Sequence, residues 1–316
     1  MAKVEVEVKD FTMPADRPFT IFGKVEFEEI FSFKYPSAKS FSPRRGPTAG
    51  GTVLTILGNN LDVGSSLEVK VSDTVACTVE SKTSTQLLCK VGNLAGPKVD
   101  TKTVTLSLVI DNENVKIPDP TFMFVSNPVI KNIFPSRSIL RGGIPITVKG
   151  DYLYASERPL MTGIYNNKNL IAQSVCTLPD GSQTEMICPS MDVSKEIKDA
   201  DSQIDLIILY DGSSIFIPSD LRSFQYKADP GFSKFQGVMQ FVVNEQMIVF
   251  SGYHILNALG QHYSVSIGNK SCNHIEVDEN HLKCQPSLEG VNVGDGKRYD
   301  VVVGNFFYSI SNFVFL

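Results

Sequence analysis

Short runs of β-branched and aliphatic residues, separated by turn residues, recur along the chain. Val104-Thr105-Leu106-Ser107-Leu108-Val109-Ile110 alternates small polar with aliphatic side chains, as a strand with one buried face should. Thr52 to Leu57 and Ile144 to Val148 are β-rich runs, each predicted to stop at a glycine, Gly58 and Gly150. Ile204 to Tyr210 runs into Asp211-Gly212, a favourable hairpin turn because both residues tolerate positive φ. Helical character is confined to Val193-Ser194-Lys195-Glu196-Ile197-Lys198, predicted to make one or two turns inside an insertion. The pattern predicts an all-β protein of short strands and turns, the arrangement of a β-sandwich.

The pattern also repeats. Six cysteines fall into three pairs, Cys77 and Cys89, Cys176 and Cys188, Cys272 and Cys284, each 12 positions apart, with the pairs offset by 99 and 96. An aromatic-x-aromatic pair occurs at Phe31 and Phe33, Phe122 and Phe124, Phe224 and Tyr226, and Phe313 and Phe315. Three of these pairs precede a proline, at Pro36, Pro128 and Pro230, and each proline precedes a glycine, at Gly58, Gly150 and Gly252. Such ordered recurrence marks a tandem repeat. The repeat divides the chain into units at 36–126, 127–228 and 229–316. Residues 1–35 carry only the closing aromatic pair and read as the last strands of a preceding, truncated unit. Very short linkers are expected at Tyr35-Pro36, Asn127-Pro128 and Asp229-Pro230, where proline fixes φ and restricts the residue before it.

Composition narrows the function. Hydrophobic residues make up 42% and charged residues 20%, enough for packed cores. A net charge of −5 with interspersed signs lacks the basic stripe of a nucleic-acid binder. No apolar run approaches a bilayer span. The start, Met1 to Val6, lacks an apolar signal core, so an extracellular protein would be represented here by a fragment or by an altered start. An even number of regularly paired cysteines fits an oxidising compartment, with Cys77–Cys89, Cys176–Cys188 and Cys272–Cys284 as the expected disulfides and buried free thiols as the alternative. A single cysteine pair per unit supplies too few ligands for zinc.

The opening of the first unit resembles a known family. Phe41-Ser42-Pro43-Arg44-Arg45-Gly46-Pro47-Thr48-Ala49-Gly50-Gly51-Thr52, followed by Leu54 to Leu57 and Gly58-Asn59-Asn60-Leu61, is similar to the start of an IPT (TIG) domain, an immunoglobulin-like sandwich. The second unit keeps Ile133-Phe134-Pro135 and Gly142-Gly143, with Ser138 and Ile139 in place of the Gly-Pro. The third keeps Pro230 and Gly252 without the double glycine. Consecutive units with one cysteine pair each resemble the extracellular stalks of plexins and of the Met and Ron receptors, as does the phrase Ser266-Ile267-Gly268-Asn269-Lys270-Ser271-Cys272. The resemblance implies a receptor stalk that spaces and orients a ligand-binding head. It implies semaphorin-like or growth-factor-like protein partners, and membrane anchoring through parts outside the chain. Other extracellular adhesion or accessory proteins, and intracellular DNA-binding factors, also carry IPT domains.

Other candidate chemistry reads as structure. The loop Gly46 to Gly51 lacks the Gly-Lys-Ser/Thr ending and following helix of a phosphate loop, and is expected to be a tight turn. His254, His262, His274 and His281 cluster in the third unit without ligand spacing, so no metal or cofactor is expected. Glu26, Glu28 and Glu29, and Asp278 and Glu279, lie in solvated runs and are not expected to form a catalytic pair. The chain is therefore expected not to be an enzyme. Arg44, Arg45, Arg137 and Arg141 occupy equivalent opening loops, where solubility is the expected role and a ligand contact the alternative. Asn269-Lys270-Ser271 is a glycosylation sequon, with Asn269 as the acceptor.

Overall fold

The alternation in the sequence becomes inward and outward faces of paired sheets. The computed structural model describes residues 5–8, 23–26, 34–96, 99–211, 213–215, 217–233, 239–241, 247–268, 270–287 and 296–315. Three separate sets of buried side chains organise it, centred on Leu54, Ile56, Phe122 and Phe124, then Ile146, Val148, Phe224 and Tyr226, then Phe250, Val265, Tyr299 and Val301. Each set is enclosed by two sheets, so the fold is a tandem of immunoglobulin-like sandwiches.

In the first sandwich, Ser37–Ser42 pairs with Val53–Asn59, which pairs with Gln86–Val91, all antiparallel. After Pro43 the chain crosses to the opposite sheet, where Arg45–Pro47 runs parallel to Thr121–Val125. The second sandwich repeats this crossing: Val129–Phe134 pairs with Pro145–Asp151, and Arg137–Ile139 runs parallel to Ser223–Lys227. In the third, Gly231–Phe232 pairs with Ile248–Tyr253, while Met239–Phe241 runs parallel to Phe306–Phe315. The aromatic-x-aromatic landmarks explain themselves here. Phe122 and Phe124 share the inward face of one strand and meet edge to face at 5.1 Å, and Phe224 and Tyr226 do the same at 5.3 Å. Phe31 and Phe33 lie outside the described residues.

Two local expectations need correction. The landmark glycines do not end their strands: Val53–Asn59, Pro145–Asp151 and Ile248–Tyr253 each run through them. Glycine is required there because a neighbouring strand crosses too closely for a side chain. A Cβ on Gly58 would sit 2.1 Å from the Ser37 carbonyl oxygen, one on Gly150 2.0 Å from that of Val129, and one on Gly252 2.2 Å from that of Gly231. At the first two sites the partner strand also bulges, between Ala38 and Ser40 and between Ile130 and Asn132. The run Val104 to Ile110 is not one strand. It divides into Thr101–Thr105 and Ser107–Ile110, which pair with opposite sheets across buried Leu106. Its counterpart Ser202–Tyr210 stays continuous. The residues from Val193 make a single turn, closed by the Ile197 N–H donating to the Val193 carbonyl.

Candidate functional site

Each sandwich carries one cysteine pair. Disulfides join Cys77 to Cys89, Cys176 to Cys188 and Cys272 to Cys284, with Cα atoms 5.4, 4.1 and 5.8 Å apart. The ladders around them differ. Val75–Lys82 pairs along Gln86–Val91 in the first sandwich, and His274–Val277 along His281–Gln285 in the third. In the second, Thr177 and Ile187 form one isolated bridge.

A recurring set of polar contacts lies between sandwiches. At the first joint, Asn127 precedes Pro128, and its Oδ1 accepts from the Ala49 N–H at 2.8 Å and the Thr48 hydroxyl at 3.1 Å. At the second, Asp229 precedes Pro230, and its Oδ1 accepts from the Arg141 N–H at 3.0 Å while Oδ2 lies 3.2 Å from Arg141 Nε. Ala49 and Arg141 occupy the same place, six residues after Pro43 and Pro135. The opening loops can point these N–H groups outward because Gly50 and Gly142, next in the chain, take positive φ of 76° and 64°.

A hairpin turn from the following sandwich closes the other side of each joint. At the first, Asp211 Oδ2 accepts from the Thr52 hydroxyl at 2.8 Å and Oδ1 from the Ser156 hydroxyl at 2.7 Å. At the second, the equivalent turn places the Asn305 N–H on the Gly142 carbonyl at 3.0 Å and Asn305 Nδ2 on the Arg141 carbonyl at 2.8 Å. Apolar packing follows the same route. Val125 joins the core of the second sandwich, and Ile139 and Ile144 join that of the third. Ile144 stands where the first opening loop has Thr52, so a buried aliphatic side chain replaces the Thr52–Asp211 hydrogen bond.

The Asp211 carboxyl is held above its ordinary value of 3.8. Burial raises it, the Ser156 and Thr52 hydroxyls oppose that, the Glu157 charge adds to it and the Arg45 charge opposes it. Arg158 and the Pro43 ring line the same groove, of about 440 Å³. A folded-state pKa above the unfolded value means the folded form holds the proton more tightly. The joint should therefore gain stability as pH falls through the raised value toward 3.8, and lack that gain at neutral pH. Comparing the thermal midpoint of the second sandwich in wild type and Asp211→Asn, between about pH 7 and about pH 4, isolates this contribution. The difference between the two proteins should change with pH in that sense; a constant difference would refute it.

The remaining sequence candidates disperse. The Arg44 guanidinium lies over the Phe41 ring at 3.9 Å and pairs with Asp119 in its own sandwich, while the Arg44 backbone N–H donates to Glu157 across the first joint at 2.9 Å; of these two opening-loop arginines, only Arg141 puts its side chain into a joint, on Asp229. Arg137 reaches the Leu256 carbonyl at 3.3 Å. His254 and His274 are exposed, and His262 and His281 are half-buried. His281 is tied to Asp278, which also caps the Asn280 and His281 N–H groups. No three potential ligands converge on a metal position among the described residues. No described helix is long and apolar enough to cross a membrane. Asn269 and the side chains of Glu26, Glu28 and Glu29 lie outside the described residues. Sequence alone points to Asn127-Pro128 and Asp229-Pro230 through their prolines, and passes over the acceptor side chains. The signal was present: the residue before both prolines is a short one bearing a side-chain oxygen.

Comparison with known proteins agrees with this fold. Residues 36–123 match the IPT/TIG domain family. The chain is 27% identical to human Plexin-A3 over 279 residues, covering 84% of this chain, and 29% identical to mouse Plexin-B2 over 272 residues, covering 81%. It spans 14% of the length of each of these relatives. Its fold overlays that of the full extracellular region of Plexin A4 with a TM-score of 0.59 at 21% identity, covering 97% of this chain and 24% of the other. By fold this is a tandem of immunoglobulin-like sandwiches, the first of which matches the IPT/TIG domain family, and the chain is similar to plexins over most of its length.

Proposed function

We propose that the chain is a non-catalytic extracellular stalk of a plexin-like cell-surface receptor, spacing and orienting a ligand-binding head carried elsewhere in the protein. The units would run 36–126, 127–228 and 229–316, with residues 1–35 closing a preceding unit. Anchoring to the plasma membrane would come from other parts of the receptor, and the partner bound by the whole would be a semaphorin-like protein ligand or co-receptor. The observation that carries this reading is the recurrence of one joint geometry at two successive positions, with the same loop and the same turn each time. A spacer needs joints that hold an angle; unconstrained linkers would let the head swivel. Plexin relatives over most of the chain support the receptor context.

Small-angle scattering tests the spacer role. A compact particle of this length would have a radius of gyration of about 20 Å. The stalk is expected to be clearly larger, with a scattering curve fitted by one elongated shape. A compact value, or a curve requiring a broad ensemble of shapes, would overturn it.

A further inference from the structure

We propose that the short acceptor side chain before each joint proline is a latch that fixes the angle between neighbouring sandwiches, so that an Asx-Pro dipeptide distinguishes a locked joint from a loose one. This concerns the joints themselves and stands whatever role the whole chain serves.

The geometry of the linker makes the latch possible. Proline locks its own φ and drives the residue before it toward extended backbone, which limits where that residue's side chain can point. A short side chain, with few rotatable bonds before its carbonyl group, then presents its oxygen in a nearly preset direction. In both joints that oxygen meets the backbone N–H at the same position of the preceding opening loop, Ala49 or Arg141. A backbone donor aimed away from its own sheet costs free energy unless an acceptor meets it, so the loop and the linker residue are complementary. Each joint then adds a second donor suited to its own acceptor. The neutral Asn127 amide takes the Thr48 hydroxyl, and the Asp229 carboxylate takes the Arg141 guanidinium.

The hairpin turn of the following sandwich gives each joint a second, separated point of attachment, beside the Arg44–Glu157 bond at the first joint and the Arg137–Leu256 bond at the second. One point of attachment leaves rotation free; two remove it. The third proline junction lacks the acceptor. Tyr35 precedes Pro36, has no short side-chain oxygen, and is 83% exposed. The same rule makes that junction unlatched.

Distance distributions across the two joints test the latch in the intact chain. Spin labels on unnatural amino acids at exposed Glu113, Lys168 and Glu276 report on the first, second and third sandwiches separately. Asn127→Ala should roughly double the width of the Glu113–Lys168 distribution and leave Lys168–Glu276 unchanged. Asp229→Ala should do the converse. Asn127→Asp and Asp229→Asn keep an acceptor oxygen and should retain the narrow widths, a rescue that a general loss of packing would not show. Asn127→Tyr, which copies the Tyr35-Pro36 junction, should broaden like alanine. Thermal unfolding of the individual sandwiches should not change, which separates a loosened joint from a damaged fold. Unchanged widths in the alanine variants, or broadening in the Asp and Asn exchanges equal to that in alanine, would overturn the proposal.

Discussion

Phe224→Ala is expected to lower the stability of the second sandwich by about 3–5 kcal/mol and to leave the other two unaffected. Phe224 is buried, packs edge to face on Tyr226, and belongs wholly to the second core. Its removal deletes the transfer free energy of the ring and leaves a cavity beside a side chain that cannot easily move into it. Tyr226 is pinned by its hydroxyl donating to the Met191 carbonyl at 3.0 Å, so the cavity stays open. Calorimetry would show one transition moving down by some 10 °C or more while the others hold, since 1 kcal/mol shifts a domain of this size by roughly 4–8 °C. If all transitions moved together, the three cores would be one cooperative unit and the tandem description would fail. Phe124→Ala should transfer the effect to the first sandwich, because Phe124 is the matching residue of that core.

Removing a disulfide as a double alanine variant should cost about 3 kcal/mol in the chain-entropy account for a loop of this length. The three bridges should not be equal. In the first and third sandwiches the strands flanking the bridge form ladders of several residue pairs, so a hairpin persists without the bond. In the second, only the Thr177–Ile187 bridge ties the two arms, through two backbone hydrogen bonds of 2.8 Å. Cys176→Ala with Cys188→Ala should therefore produce the greatest loss, and its Cys77/Cys89 counterpart a smaller one. Denaturant unfolding resolved by sandwich measures the order. Equal losses, or the greatest loss in the first sandwich, would contradict this dependence on the neighbouring ladder.

Much of the architecture is legible along the chain. Cysteine spacing, aromatic pairs and prolines recur because each sandwich reuses the same positions for its staple, its core and its entry, and a repeat in sequence is a repeat in space. The alternation in Ser202–Tyr210 holds over nine residues because that strand has one buried face throughout. Its first-sandwich counterpart looks equally continuous, yet the strand breaks at Leu106. Alternation reports which side of a strand is buried and carries nothing about which neighbour accepts its hydrogen bonds. The landmark glycines mislead for a related reason. Their recurrence marks them as special, and a strand end is the common meaning of such a glycine. Their requirement comes from a carbonyl oxygen about twenty residues earlier in the chain, brought within van der Waals distance by the fold.

The all-β class, the order of the sandwiches and their buried faces follow from local periodicity and hydrophobic patterning, which a linear chain displays directly. The roles of the opening loops and linker residues do not follow from any such pattern. Asn127 and Asp229 read as ordinary polar residues beside prolines, and Asp211 as a turn former, until folding places loops from adjacent sandwiches against them. A hydrogen bond between residues nearly eighty or more positions apart exists only once both sandwiches have folded and docked. Such pairing leaves no periodic trace in the chain, because a donor and its acceptor need only the right direction in space.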